Sequence, residues 1–422
     1  MNRKQLTLIL VAFVVLGGLG LWLRNRDVSS YRTTSGAMGQ KVLGEFDVNA
    51  VARVAVRKGT NSLSLVQKDD RWVVVERGDY PANFSEVGDA LRKLWDLKTV
   101  QAVAGPLGPA AIERLELNPE APTNAAVVLE LQDKDGKALK TLLLGKLHRS
   151  RPTSPSPMGG EEGWPDGRYV MLQGQSSGAS LISETFSTLE PKPEAWLNKE
   201  FFKADKVLSA AVTYPEATNS WKLDRASETN EWVLADARPE EQLDTTKLSG
   251  IANALSLPNF EDVVVTPDPA ALGLDQPILA ELKSADGFHY ALKAGKKDGE
   301  DKYYLTLSVS ADFPKERTAP AEEKPEDKEK LDKEFKEKTD KLTEKLRNEK
   351  ALEGRVFQVS KWTLDAFFKK RSELLKEAKK DEAPGGGANP AASLPPLMNP
   401  VDATVPPLPP DLPLPDSEDK DE

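Results

Sequence analysis

Two stretches of this chain, 160 residues apart, carry the same pattern of residues. The first reads RWVVVERGDYPANFSEVGDALRKLWDLKTVQAV from Arg71, and the second reads EWVLADARPEEQLDTTKLSGIANALSLPNFEDV from Glu231. Trp72 meets Trp232, Val73 meets Val233, Val74 meets Leu234, Leu91 meets Ile251, Trp95 meets Leu255, Leu97 meets Leu257 and Val103 meets Val263. Whatever fold forms must therefore serve one unit used twice. The Val-rich segment 71–76 is β-prone. Behind it Phe84, Val87, Leu91, Leu94 and Trp95 fall at helical spacing, with Ser85 placed to cap the helix. Asp244, Leu248, Ile251 and Leu255 repeat that design.

The match continues downstream with different loop lengths. AALGLDQP (270–277) parallels IERLELNP (112–119), with Glu116 where the second copy has the turn glycine Gly273. AVVLELQDKDGKALKTLLLG, ending at Gly145, parallels ILAELKSADGFHYALKAG, ending at Gly295. Each reads as a β-hairpin turning at an Asp-Gly pair, Asp135-Gly136 or Asp286-Gly287. RYVML (168–172) then pairs with KYYLTL (302–307), and ASLISETFSTLE pairs with GRVFQVSKWTLDAFF, each a strand followed by a short helix. The copies differ by insertions. Residues 150–164 are rich in Pro, Gly and Ser and read as a mobile loop. Residues 313–353 are longer and heavily charged. Within them 328–349 alternates Lys and Glu around a narrow stripe of Leu331, Phe335, Leu342 and Leu346. Such a stretch is a solvated helix held by (i, i+4) ion pairs, or an arm whose stripe meets a partner helix.

The N-terminus adds a different constraint. Residues 6–23, LTLILVAFVVLGGLGLWL, hold no charge and only one polar side chain, Thr7. A run of this length can cross a bilayer core of about 30 Å as a helix. A cleaved signal peptide has a shorter apolar core and a small-residue cleavage site, and Leu21-Trp22-Leu23-Arg24 makes a poor one. A buried core helix rarely sits at the extreme N-terminus between basic residues. Lys and Arg flank both ends, so their bias is slight. The short stub is easily retained, which predicts an N-terminus on the cytoplasmic side and an extracytoplasmic body. At the other end, the tail from Lys376 holds four lysines against ten acidic residues, and 11 of the 31 prolines lie beyond position 380. That composition predicts disorder with polyproline II character.

Chemistry is hard to find. The chain has no cysteine, which rules out disulfides and thiol chemistry. The two histidines, His148 and His289, have no second histidine at metal-ligand spacing and read as surface or strand residues. There is no phosphate loop of the G-x-x-x-x-G-K-[ST] type and no G-x-S-x-G elbow. The formal glycosylation sequon Asn83-Phe84-Ser85 is better explained as a helix N-terminus. The net charge of −10 resides largely in the tail, so no basic field for nucleic acid is present. No catalytic, cofactor-binding or metal-binding residue is assigned. Trp72, Trp232, the 272–274 turn with Pro277, Gly145 and Gly295 read as structural, the tryptophans covering the strand–helix seam.

These carriers also support a resemblance. RWVVVE with Trp72, the Pro81-Ala82 pair and its helix, Trp232, the Leu272-Gly273-Leu274 turn with Pro277, and the Gly145/Tyr169 and Gly295/Tyr303 pairs resemble the membrane-associated family called domain of unknown function 4340. The likeness spreads over about 51–375. It implies an auxiliary component beside ABC-type transport systems of the gliding-motility kind, with no catalytic residues to carry over.

The sequence therefore predicts an α+β chain: an N-terminal transmembrane helix, then two homologous β-rich units, each with an amphipathic helix packed on strands, plus a charged helical insertion. The segments are an anchor at 1–26, a juxtamembrane linker at 27–50, a first unit at 51–202, a second unit at 203–375 with its insertion at 313–353, and a tail at 376–422. The expected partners are the bilayer, through residues 6–23, and ABC permease or ATPase subunits. The expected place is the inner membrane, with no enzymatic activity and no cofactor. The alternatives are a module that binds an envelope glycan or polymer in the cleft between the units, and a hydrolase using two buried carboxylates in one pocket. Oligomeric state is left open.

Overall fold

The computed structural model describes residues 38–103, 106–150, 163–174, 178–248, 250–251, 255–297, 301–317 and 325–376. The apolar run 6–23, most of the 150–164 loop and the tail from 377 lie outside these residues. Among the described residues no helix is long and apolar enough to cross a membrane.

The chain builds two large antiparallel sheets. The first contains β1 (Arg53–Lys58), β2 (Asn61–Lys68), β3 (Arg71–Val74), β4 (Tyr80–Pro81), β5 (Gln101–Val103), β6 (Val127–Gln132), β7 (Ala138–Arg149), β8 (Pro165–Leu172) and β9 (Ala179–Ile182). Its spatial order is β4-β3-β2-β1-β6-β7-β8-β9-β5. The second contains β10 (Val207–Thr213), β11 (Trp221–Asp224), β12 (Val233–Leu234), β13 (Asp262–Val264), β14 (Ile278–Ser284), β15 (Phe288–Lys296), β16 (Tyr303–Ala311) and β17 (Val356–Val359). Its order, β12-β11-β10-β14-β15-β16-β17-β13, is that of the first sheet without β4. Both Asp-Gly hairpins form as read, between β6 and β7 and between β14 and β15, with Gly136 and Gly287 at positive φ. Alternation drives these strands: β6 buries Val127, Leu129 and Leu131 on one face and leaves the residues between them half-buried on the other, Val128 against a second, smaller cluster.

Loss of β4 changes the second copy. In the first sheet β4 pairs with β3, and Trp72, Val73 and Val74 are all buried. In the second, β12 is an edge. Val233 is 62% exposed, and Trp232 is only partly buried, its ring lying 4.5 Å from the Arg225 guanidinium carbon. Trp232 is thus not the equal of Trp72 as a seam cover.

The first unit's helix, α1 (Phe84–Trp95), forms where predicted but is capped by Asn83, whose side chain accepts from the backbone N–H of Ser85 and Glu86. It buries Val87, Leu91 and Leu94, and this i, i+4, i+7 stripe covers the strands. Phe84 and Trp95, at the two ends, fall outside the stripe and are exposed, contrary to the sequence expectation. In the second copy a 3₁₀ turn, Thr245–Lys247, starts at the Asp244 cap, and Leu248, Ile251 and Leu255 are buried. Residues 249 and 252–254 of that predicted helix lie outside the described ones. A short α2 (Pro109–Arg114) precedes the turn at Glu116. The strand ending the first copy leads into a turn and a 3₁₀ segment, Pro193–Trp196, and only the second copy has the short helix, α4 (Lys361–Leu364), directly after its strand.

The charged insertion is α3 (Pro325–Lys350), about 39 Å long at helical rise. It is not an arm with a vacant stripe. Leu342 and Leu346 pack on the core, Lys338 pairs with Asp286 at 3.5 Å, and the Lys345 ammonium lies 4.6 Å from the Phe288 ring centre. The (i, i+4) pairs Lys330–Glu334 and Lys345–Glu349 also form.

One hydrophobic core runs through both sheets. At the junction the Tyr80 ring meets Phe260 at 5.7 Å and Phe357 at 6.1 Å, edge to face. Arg77 makes a two-pronged pair with Asp262, its Nη2 lying 2.8 Å from Oδ2. Ala82 bridges to Leu197, and Ala204 N–H donates to the Leu255 carbonyl.

The repeated glycines have one job. A Cβ on Gly145 would fall on the Leu115 carbonyl oxygen, and a Cβ on Gly295 would fall on that of Leu272. In each copy the turn before the hairpin lies against the end of its second strand. Both turns place a left-handed residue here, Gly273 at φ +66° and Glu116 at φ +54°, but a Cβ on Gly273 would fall on the Lys296 carbonyl oxygen, an approach that the Glu116 side chain does not allow in the first copy. A side chain held left-handed costs about 1 kcal/mol. We predict that Gly295→Ala and Gly145→Ala each destabilise the body by about 3 kcal/mol or more, through overlap with backbone that cannot move aside. Glu116→Gly should stabilise it by up to about 1 kcal/mol. Urea unfolding midpoints read both effects.

Candidate functional site

Between the two sheets the chain runs through an irregular segment, 197–206, and the last turns of α3 lie over it. Lys203 N–H donates to Glu349 Oε1 at 2.9 Å. The Lys203 carbonyl accepts from the Tyr290 hydroxyl at 2.8 Å and from Lys345 Nζ at 2.7 Å. Phe202 is fully buried beneath this segment, while its neighbour Phe201 is half-buried against Phe260 and Phe357. Lys199 spans the same junction, donating to the Glu261 carbonyl at 2.7 Å, and burial holds its ammonium below the ordinary lysine range.

These elements enclose an open groove of about 840 Å³. Its floor is the 198–203 segment with Phe201, one wall is Lys341, Lys345 and Glu349 of α3, and the rim includes Asn83, Leu257 and Pro258. The volume lies in the range of small-ligand pockets. The lining mixes ammonium, carboxylate and amide groups with one aromatic face. That set suits a polar chain held by hydrogen bonds and ring stacking.

Glu349 is the most unusual group in it. Its residue is 4% exposed, and burial raises its pKa above the ordinary carboxyl range. Oε2 lies 2.9 Å from the Tyr290 hydroxyl, which already faces the Lys203 carbonyl. One phenolic proton cannot serve two acceptors. A protonated Glu349 resolves this by donating to the tyrosine oxygen, which in turn donates to the carbonyl. Among the described residues no group of three His, Asp or Glu side chains could hold a metal. His148 lies on β7 with Nδ1 2.6 Å from Asp166, and His289 lies on β15 with Nε2 3.9 Å from Asp312, as strand residues. Nothing in the sequence marked Glu349, Tyr290 or Lys203. Lys203 and Glu349 are 146 positions apart, and the acid looks like any other in a Lys/Glu helix.

The raised Glu349 carboxyl fixes the sign of a pH effect. Folding favours its proton, so this site's contribution is greatest below the ordinary glutamate value. It is lost as pH rises from there through the raised folded value. Glu349→Gln keeps an acceptor for Lys203 and a donor for Tyr290 without the charge. We predict that it flattens this decline and leaves the protein more stable than the parent at neutral pH, whereas Glu349→Ala destabilises at every pH. Denaturation curves across a pH series measure both.

Comparison with known proteins gives one match. No curated protein and no solved structure matches the chain. Residues 158–277 match the family model described as Domain of unknown function (DUF4340). The matched stretch takes in β8, β9, the 197–206 segment and β10 to β13, and it ends at Pro277 just before β14. It includes Tyr169, Trp232 and the Gly273 turn, and it is narrower than the 51–375 span over which the resembling motifs are spread. Across the junction and the first strands of the second sheet, therefore, the chain carries a domain of the DUF4340 family, at residues 158–277.

Proposed function

We propose that the protein is a non-enzymatic accessory or scaffold subunit, held by a single N-terminal span in the inner membrane with its body outside the cytoplasm. It works beside an ABC-type transport system of the gliding-motility kind. One observation carries this reading: an uncharged 18-residue run is followed by a body whose two sheets share a single core. A body fused in this way suits holding partners at fixed spacing. The family description names no reaction. In this reading the anchor contacts the transporter's membrane segments and the body meets an envelope partner.

The junction groove favours a second reading, an envelope glycan- or polymer-binding module. Its aromatic floor at Phe201 and its amide and charged walls are the features such a ligand would use.

Crosslinking in native membranes followed by pull-down tests the first reading. An ABC permease or ATPase subunit should be recovered with the protein, and repeated recovery of neither would overturn the assignment. The second reading predicts that Phe201→Ala weakens retention of isolated envelope polysaccharide at least tenfold while the crosslinked partners stay the same.

A further inference from the structure

The junction groove is rich in positive charge, in a chain of net charge −10. Lys199, Lys203, Lys341 and Lys345 all line it. Among the described residues none of the four has a carboxylate oxygen closer than 3.9 Å. Lys199 and Lys345 are held by backbone instead, through the carbonyls of Glu261 and Lys203, each at 2.7 Å. The side chains of Lys203 and Lys341 are exposed, and their ammonium groups meet no acceptor among the described residues. The lining carboxyls do not balance them. Burial favours the protonated form of Glu349, and Glu344 lies 3.8 Å from the Arg347 guanidinium. Glu200 is left as the one opposing charge without such a partner.

The duplicated framework shows that the wall carrying two of these lysines is an addition. In the first copy residues 173–178 join β8 to β9, whereas in the second α3 occupies the corresponding link between β16 and β17. Leu342 and Leu346 hold α3 on the core, and Lys338 ties it to Asp286. Lys341 and Lys345, one turn or about 6 Å apart along the axis, therefore reach the groove from a seated helix. Lys341 makes no contact that would hold the helix there.

The chemistry of the lining says what would answer this charge. Every cation in it is a lysine. An ammonium is a point charge that suits a single carboxylate, whereas a two-pronged grip on phosphate is the work of guanidinium. Asn348 adds an amide, and the half-buried Phe201 ring supplies an apolar floor. We propose that the groove binds an acidic glycan, with Lys203 and Lys341 pairing to the carboxylates of uronic-acid units whose sugar faces lie on Phe201. The proposal rests on the glycan-binding reading above and narrows it to one charge class.

Calorimetric titration of the full chain in neutral detergent, with tetragalacturonate and with its methyl ester, provides the test. The ester keeps the sugar backbone and removes the charge. The acid should bind at least about tenfold more tightly than the ester at low salt. That preference should vanish in Lys203→Gln/Lys341→Gln, while Phe201→Ala weakens both forms. Glu200→Gln should tighten the acid alone. The double variant removes no internal contact, so its urea midpoint should equal the parent's. Equal affinity for acid and ester, or a preference kept by the double variant, overturns the proposal. If neither form binds while isolated envelope polysaccharide is still retained through Phe201, the glycan reading stands and the acidic preference fails. If that retention is also missing, the glycan reading falls and this proposal with it.

Discussion

Tyr80 belongs to a two-residue strand that the second copy lacks, and its ring reaches across to Phe260 and Phe357. The rest of the architecture hangs on this contact. Two antiparallel sheets of the same strand order would otherwise each leave an edge and an apolar flank in water. The aromatic cluster covers the flank and the backbone of Trp196 and Asn198 bonds along the β4 edge; burial pushes the Tyr80 hydroxyl up to about 12, so it stays neutral inside the junction. Arg77 and Asp262 then fix the register of one copy on the other through a bidentate pair that tolerates little displacement. The groove over 198–203 exists because this docking leaves the connecting segment on the surface, where α3 can lie across it.

What could be read from the sequence was what repeats or what is local. The two Asp-Gly hairpins, the Gly145 and Gly295 positions and the first helix all leave short-range marks: a turn dipeptide, a glycine before a lysine, an apolar period after a polar start, although the cap is Asn83 and not Ser85. The duplicated order of strands followed from aligning those marks. The junction left none. Arg77 and Asp262 are 185 positions apart, and a lone arginine after a strand looks like any surface charge. The helix face of α1 was overestimated because periodicity counts apolar residues without knowing how wide the strands beneath are. Phe84 and Trp95 fit the period and miss the sheet. The insertion was legible as a charged helix with (i, i+4) pairs, but not what covers it. A stripe of Leu342 and Leu346 cannot state whether its cover comes from the same chain, and here it does.

The departures between the copies are as informative as the repeats. Glu116 adopts the left-handed turn that Gly273 adopts without penalty, so the first unit carries a small strain that the second avoids. Arg168 is buried in the first unit with its guanidinium donating to the carbonyls of Gly145 and Thr185, and burial lowers its pKa. It ties the 183–190 loop to the glycine at the end of the hairpin. Arg371 does similar work in the second unit but with carboxylates. It pairs with Asp236 and Glu241 and holds the Glu241 carboxyl down near 2. That contribution is present above the ordinary glutamate range and disappears as the solution is acidified towards 2.

The contact at Tyr80 joins unlike ends: the β4 end of the first sheet meets the β13 end of the second. The two outer ends of the strand series are therefore different surfaces. At one, β5 lies beside Thr99, where Gly39 and Gln40 bring the chain in. At the other, β12 leads to the loop where Arg371 and the Leu243–Leu375 bridge let the chain out towards Lys376. A pull between the first and last residues of the body would therefore be transmitted strand by strand through both sheets. Between β4 and β13 it would pass through aromatic rings, one ion pair and the connecting segment, with no backbone ladder to share it. Under load, the junction is where such a body would yield first, as two intact halves on a short tether.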